Sequence, residues 1–179
     1  MLTAIPIDKE MPVPELIPPE TPRINDHPQV VKSWKPHQFA IICLDRNTGD
    51  PRWIKVVAEG MPHQGHHRKG GFTSSSPVTD GTFLYSSFGT FGLFCHDFSG
   101  ELIWKKDLGP LAIEDSLGEG SSPALFGETI VLIIDRELQS YVIALEGTFY
   151  ASPVIVGDRL LLRSDQHLYG IVHDGSRLK

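Results

Sequence analysis

Three short segments of the chain repeat one another, and this repetition limits the folds that the chain can adopt. The copies begin at Ser76-Pro77-Val78, Ser122-Pro123-Ala124 and Ser152-Pro153-Val154. Each start is followed by a Gly-containing turn and by two apolar strand patterns. A unit of this size cannot bury both of its own faces, so the repetition predicts an array of units stacked on their neighbours.

The copy at residues 75–108 is complete and predicts four short strands. Runs of β-branched and aromatic residues bounded by Gly, Asp and Ser are typical of strands and turns. The predicted strands are Ser76–Thr79, Thr82–Phe88, Gly92–His96 and Glu101–Lys106. Four short antiparallel strands make one propeller blade, and the 46 residues from Pro77 to Pro123 fit the propeller period of roughly 40–50 residues. The sequence therefore predicts an all-β fold.

A Trp follows a turn Gly at the same spacing in two places. Trp53 stands four positions after Gly49, and Trp104 stands four positions after Gly100. A Trp at this point of an outer strand is expected to pack between neighbouring sheets, because its large ring stabilises most when it is covered on both sides. Residues 39–57 are thus interpreted as the end of a preceding unit.

These motifs resemble the pyrrolo-quinoline-quinone-like (PQQ-like), quinoprotein-type β-propeller repeat of bacterial proteins. The residues that carry the structural repeat are Gly49, Trp53, Pro77, Gly100, Trp104, Pro123 and Pro153, and the runs 88–95 and 118–124 are similar as well. The resemblance covers residues 38–172 and implies a partial β-propeller made of four-stranded antiparallel blades. Blade pieces are expected at 38–58, 75–108, 121–146 and 150–172.

The third copy stops halfway. Pro123 and Pro153 are 30 residues apart, and the residues after Glu146 lead directly to the next strand start without a turn, a Trp or an outer strand. The interpretation is that middle blades are missing at this junction, which leaves an unpaired strand edge. A closed propeller needs about 4–8 blades, so the array is incomplete, and self-association through open strand edges is a further expectation.

Composition bounds the remaining regions and the class of partner. Residues 1–37 hold eight of the fourteen prolines, which favours an extended or disordered segment, and residues 173–179 form a tail. No signal peptide is recognisable, which favours a cytoplasmic location, although members of the resembled family are often exported. The net charge is -6 without a basic stripe, so no nucleic-acid partner is expected, and no apolar run is long enough to span a membrane.

The connections between the predicted blades carry the candidate site residues. His63, His66 and His67 could ligate a metal ion, but the loop is Gly-rich and no nearby Cys or acid completes a site, so a solvated loop is favoured. Loops on a rigid scaffold often carry function, and successive connections should share one face. The residues expected to bind a partner there are His63, His66, Arg68, Glu114 and Glu119.

Three readings of the function stay open. The first is a non-catalytic module that binds an unknown protein or peptide, or acts as a scaffold, with no catalytic or cofactor-binding residue. The second, which the resemblance implies, is a fragment of a quinoprotein dehydrogenase that uses PQQ and calcium. Many such enzymes carry two adjacent Cys, whereas Cys43 and Cys95 are far apart here. The third reading is a gene remnant without function.

Overall fold

The chain folds into separate antiparallel β-sheets, as the all-β expectation requires. The computed structural model describes residues 1–10, 29–31, 35–62, 64–109, 111, 118–127, 129–134, 140–146, 154–156, 159–163 and 168–172. The strands are β1 (Leu2–Pro6), β2 (Val30–Val31), β3 (His37–Leu44), β4 (Pro51–Gly60), β5 (His66–His67), β6 (Val78–Thr79), β7 (Phe83–Ser87), β8 (Leu93–Asp97), β9 (Leu102–Lys106), β10 (Ala124–Phe126), β11 (Thr129–Ile134), β12 (Tyr141–Glu146), β13 (Val154–Val156), β14 (Arg159–Arg163) and β15 (Leu168–Val172). These residues include a short 3-10 turn, Gly89–Phe91, and no α-helix.

Sheet 2 is the complete four-stranded unit. It contains β6, β7, β8 and β9 in sequence order, each antiparallel to the next, and each strand begins and ends within two residues of its predicted bounds. Asp97 organises the last turn, because its carboxylate accepts the backbone N–H groups of Ser99 and Glu101 at 2.9 Å each. Gly100 completes the turn with a φ of 84°, which a residue with a Cβ adopts only with strain.

Sheet 1 draws a strand from the N-terminal segment. Its order is β1-β3-β4, and β1 pairs antiparallel with β3 from Leu2 opposite Ile41 to Pro6 opposite His37. Part of the segment assigned to a Pro-rich linker, residues 1–37, is therefore a strand. The physical reason is that β1 is an edge strand ending at Pro6, where the missing N–H of a proline is tolerated. Most of the remaining prolines lie outside the described residues.

Sheets 3 and 4 have three strands each in the described part of the chain. Sheet 3 contains β10, β11 and β12, and sheet 4 contains β13, β14 and β15, both in sequence order. Ala144 of β12 pairs with Val131 of β11, just as Cys95 of β8 pairs with Tyr85 of β7. Strand β12 therefore corresponds to β8, the third strand of sheet 2. The position beside β12 is the one that the sequence predicted to lack an outer strand, and no strand among the described residues pairs there.

Sheet 2 is apolar on both faces and is covered on both sides. Residues that alternate along a strand point to opposite faces, so Phe94 faces sheet 1 while Cys95 faces sheet 3. The cluster between sheets 1 and 2 contains Phe39, Ile41, Phe88 and Phe94. The buried cluster between sheets 2 and 3 contains Tyr85, Leu93, Cys95, Leu108, Leu111, Ile130, Leu132, Ile134 and Leu145. Sheets 1, 2 and 3 therefore form a stack in chain order.

Trp53 links sheet 1 to the outer turn of sheet 2. Its indole N–H donates to the carbonyl oxygen of Phe98 at 3.0 Å. Its ring lies against Gly100, where an added Cβ would stand 3.2 Å from Trp53 Cδ2. Trp104, the equivalent residue of sheet 2, packs against the cluster between sheets 2 and 3 with its ring 6.0 Å from that of Tyr85. Each of these Trp residues thus lies on the side of its sheet that faces the next one.

Replacing Gly100 with Ala should destabilise the fold more than the same change at Gly49. Both glycines have a positive φ, 84° and 77°, so the backbone strain of roughly 1–2 kcal/mol is common to the two variants. Only at Gly100 would the new methyl group crowd its neighbours, Lys55 Cγ at 3.0 Å and Trp53 Cδ2 at 3.2 Å, whereas nothing lies within 4 Å at Gly49. Urea denaturation should show an additional loss of about 1 kcal/mol for Gly100→Ala, the lower end for overpacking. Equal losses would contradict the contact.

Candidate functional site

The candidate site is the surface formed by the described residues of the two connections that join successive sheets, 61–77 from β4 to β6 and 107–123 from β9 to β10. We call it the connection face. The backbone N–H of Ser76 donates to Ser122 Oγ at 2.9 Å. An added Cβ at Gly118 would stand 3.1 Å from His66 Cα. Ser76 and Ser122 are equivalent residues of two copies, so the repeat itself brings the connections together.

His66 is built into the structure beneath this face. Its Nδ1 lies 2.8 Å from the carbonyl oxygen of His67 and therefore carries the proton that it donates. Its ring meets the edge of Phe72 at 4.5 Å between centroids, and Phe72 in turn meets His37 at 4.9 Å. The half-buried His66 ring thus helps to anchor the first connection.

His67 uses both of its ring nitrogens within the chain. Nδ1 accepts the backbone N–H of Lys69 at 3.2 Å, and Nε2 lies 2.9 Å from Oε1 of Gln29. Because an amide oxygen only accepts, Nε2 is the protonated nitrogen of a neutral imidazole. Pairing of β2 with β5 holds Gln29 in place, since Val30 stands opposite His67.

Of the three histidines considered for a metal ion, the structure describes two, His66 and His67. His67 has both nitrogens engaged, and His66 donates from Nδ1. His63 lies outside the described residues. Among the residues that are described, no group of three or more His, Cys, Asp or Glu side chains is placed to hold a metal ion.

Glu119 crosses from the second connection to the 3-10 turn of sheet 2. Its carboxylate accepts the backbone N–H of Thr90 at 2.5 Å and the Thr90 hydroxyl at 2.7 Å. The same hydroxyl oxygen accepts the N–H of Leu111 at 3.0 Å. Gly89 leaves the space that the carboxylate occupies, because a Cβ there would overlap Glu119. Glu119 therefore fixes the second connection to sheet 2.

The residues expected to bind a partner thus have different environments. Arg68 is exposed, and its backbone N–H donates to the carbonyl oxygen of Gln29 at 2.7 Å. His66 and Glu119 are half-buried and make the internal contacts described above. Glu114, like His63, lies outside the described residues. On the described connection face, Arg68 and the neighbouring Lys69 expose positive charge, and Asp107 exposes negative charge.

Two narrow clefts open beside Phe72 and Phe88 under the connection face. Each offers a volume of about 20 Å³, which is enough for a water molecule. The cleft on the sheet 3 side is lined by serines, including Ser75 and Ser87, and by apolar residues such as Leu111 and Ile134. Ser75 Oγ is buried there without a hydrogen-bond partner among the described residues. The clefts are therefore suited to ordered water.

Two buried histidines lie between sheets 1 and 2. His37 is 6% exposed with Nδ1 at 2.9 Å from the Lys35 carbonyl oxygen, and His96 is 3% exposed and stacks on Phe94. Burial lowers the pKa of both imidazoles, because the charged form is poorly solvated there. His96 Nδ1 has no hydrogen-bond partner within the described residues.

The two cysteines occupy equivalent positions and are both free thiols. Cys43 stands opposite Trp53, and Cys95 stands opposite Trp104. Burial raises the pKa of the Cys95 thiol to about 12. A thiol with so high a pKa stays protonated at neutral pH and is a poor nucleophile, so Cys95 acts as a small apolar side chain.

Comparison with known proteins adds no assignment. Neither the family models nor the curated proteins include one that matches this chain. In the described part of the chain, no helix has the length and apolar character needed to cross a membrane.

Replacing Glu119 with Ala should destabilise the fold by about 1–3 kcal/mol, because Thr90 loses the acceptor of its N–H and of its hydroxyl group. Glu101→Ala is the matched control, since Glu101 is an exposed carboxylate in the β8–β9 turn and should cost little. Urea denaturation measures both changes. If Glu119→Ala is no more destabilising than Glu101→Ala, the attachment of the second connection to sheet 2 is wrong.

Replacing His96 with Leu should reduce the dependence of stability on pH. Because the pKa of native His96 is lowered, the unfolded state binds a proton first, and stability is lost as pH falls below about 6.5. At pH 5.5 the loss has an upper limit of about 1.4 kcal/mol. Leu145 occupies the equivalent position in sheet 3, so Leu fits this environment.

The measurement for this variant is the difference in unfolding free energy between pH 7.5 and pH 5.5. We expect a smaller difference for His96→Leu than for the native chain, with His37 supplying the remainder. The variant should also be at least as stable as the native chain at pH 7.5, because the unpaired Nδ1 is removed. An unchanged pH dependence would contradict the burial of a neutral His96.

Proposed function

We propose that the chain is a partial β-propeller of PQQ-like repeats, and that it is a non-catalytic module binding a protein or peptide through the connection face. The observation that carries the proposal is the direct contact between the two connections. Ser76 N–H and Ser122 Oγ join them at 2.9 Å, so two segments that are 46 residues apart in sequence form one continuous surface.

The stack of sheets supports the propeller arrangement. Sheets 1, 2 and 3 follow one another in chain order, with apolar clusters between neighbours. Trp53 and Trp104 lie at the same register position of successive outer strands, each opposite a Cys. A constant relation between successive sheets is the geometry from which propellers are built.

Rigidity and exposed charge support the binding role. Glu119 holds the second connection to sheet 2 through two hydrogen bonds, and strand β2 pairs with β5 in the first. Arg68 and Lys69 project from this fixed base with exposed side chains. A rigid surface loses little conformational entropy on binding, and the exposed pair Arg68 and Lys69 favours an acidic group on the partner.

The other two readings receive no specific support from the described residues. A quinoprotein dehydrogenase would need a site for the quinone and its calcium ion, and the described clefts of about 20 Å³ do not form one. A gene remnant would be expected to lose packing throughout, whereas sheet 2 packs against a neighbouring sheet on each of its faces. We therefore place the binding module first.

A selection of displayed peptides against the immobilised full chain tests the proposal. We expect acidic peptides that lose at least about tenfold in affinity for an Arg68→Glu, Lys69→Glu double variant, because the charge complementarity is reversed. Arg46→Glu is the matched control, since Arg46 is exposed in the β3–β4 turn, away from the connections. Failure to select any peptide, or equal binding by the double variant and the control, would overturn the proposal.

A further inference from the structure

The stack of sheets 1, 2 and 3 ends in two exposed apolar faces. The front face is the side of sheet 1 that points away from sheet 2, where Ile54 and Val56 are 54% and 49% exposed. The rear face is the side of sheet 3 that points away from sheet 2, where Ile133 and Val142 are 58% and 52% exposed. Large contiguous apolar patches on a protein surface mark interaction sites.

The front face is a repeat-equivalent copy of a surface that is already packed in the interior. Ile42 pairs with Ile54 as Phe94 pairs with Lys105, so Ile42 corresponds to Phe94. In sheet 2, the face that carries Phe94 packs against the sheet before it, sheet 1. The front face of sheet 1 is therefore suited to the rear side of another sheet.

The rear face is equivalent to the face of sheet 2 that packs against the sheet after it. Val131 pairs with Ala144 as Tyr85 pairs with Cys95, and in sheet 2 the face that carries Tyr85 packs against the sheet after it, sheet 3. The rear face of sheet 3 is therefore suited to the front side of another sheet. Each free face has its complement at the other end of the same chain.

We propose that a second copy of this chain covers both faces, with sheet 3 of each copy packed on sheet 1 of the other. The pairing rests on the propeller arrangement proposed above, but not on peptide binding. A contact between two different faces of identical chains generates either a closed ring or an open filament. Three sheets from each of two copies make six, within the range of about 4–8 for closed propellers, so a ring of two copies is expected.

The length of chain between sheets 3 and 4 favours a second copy over sheet 4 of the same chain. In a regular repeat, β13 would start in the next sheet beside the start of β10. Because β12 runs parallel to β10, the end of β12 lies at the opposite end of the sheet from that point. The two points are offset by one strand length along the strands, by two strand spacings across the sheet and by one sheet spacing. These offsets are perpendicular to one another, so the straight diagonal between the points is about 22–24 Å long.

The eight Cα–Cα steps from Glu146 to Val154 can span only about 26–29 Å even when the chain is fully extended. That length covers the straight path, which runs through the layer of packed side chains between two stacked sheets. It leaves only about 2–7 Å for a route around the sheet edge. Sheet 4 of the same chain is therefore not expected on the rear face.

Light scattering on the full chain, coupled to size exclusion, tests the pairing through one variant for each face. Ile54→Glu alters the front face and Ile133→Glu the rear face. Both side chains are more than half exposed, so both variants should fold, which circular dichroism verifies. We expect light scattering to give a molar mass of twice the chain mass for the native protein. Each variant should be monomeric, because a buried unpaired carboxylate weakens association by about 100-fold or more.

The matched control is Leu102→Glu, which changes an exposed apolar residue of the outer strand of sheet 2, 49% exposed. It lies between the two end faces and should leave the dimer intact. The double variant at Arg68 and Lys69 should also remain dimeric, so that loss of peptide binding and loss of pairing are separate results.

Mixing the two monomeric variants distinguishes this arrangement from a symmetric contact. The intact rear face of Ile54→Glu can pack on the intact front face of Ile133→Glu, so the mixture should return to twice the chain mass. The proposal is overturned if the native chain is monomeric, or if it is dimeric and both variants remain so. It is also overturned if Leu162→Glu in sheet 4 separates the copies while Ile54→Glu does not, because sheet 4 would then be the occupant.

Discussion

The requirement that a sheet with two apolar faces be covered on both sides determines the rest of the structure. Sheet 2 carries Phe94 on one face and Tyr85 and Cys95 on the other, and all three side chains are at most 1% exposed. Neither cluster could form if sheet 2 stood alone, because one face of each cluster belongs to a neighbouring sheet. Sheets 1 and 3, at the ends of the stack, have a neighbouring sheet on one side only, so each has one exposed apolar face.

The junctions between neighbouring sheets also position the described parts of the connections. Trp53 fixes the outer part of sheet 1 against the turn at Phe98 and Gly100. At the other end of the strands, Ser76 and Ser122 join the two connections. The first contact holds sheet 1 to sheet 2, and the second holds the start of sheet 2 to the start of sheet 3, so the described parts of the connections have a defined position.

The repeat made the all-β fold and the four strands of sheet 2 predictable, because periodic patterns and turn residues are local signals. Strand β1 was not predictable in this way, since prolines dominate the segment that separates it from β3. The bond between Glu119 and Thr90 joins residues that are 29 positions apart, and no local pattern encodes it. His66 was recognised as a polar loop residue, yet its contact with Phe72 depends on tertiary packing.

The most direct test of the stacked arrangement is an NMR measurement on the Trp53 indole group. We expect a nuclear Overhauser effect between Trp53 Hε1 and the α-protons of Gly100, together with slow solvent exchange of Hε1, because the indole N–H donates to Phe98 across the junction of sheets 1 and 2. A rapidly exchanging Hε1 without contacts to residues 98–100 would contradict it.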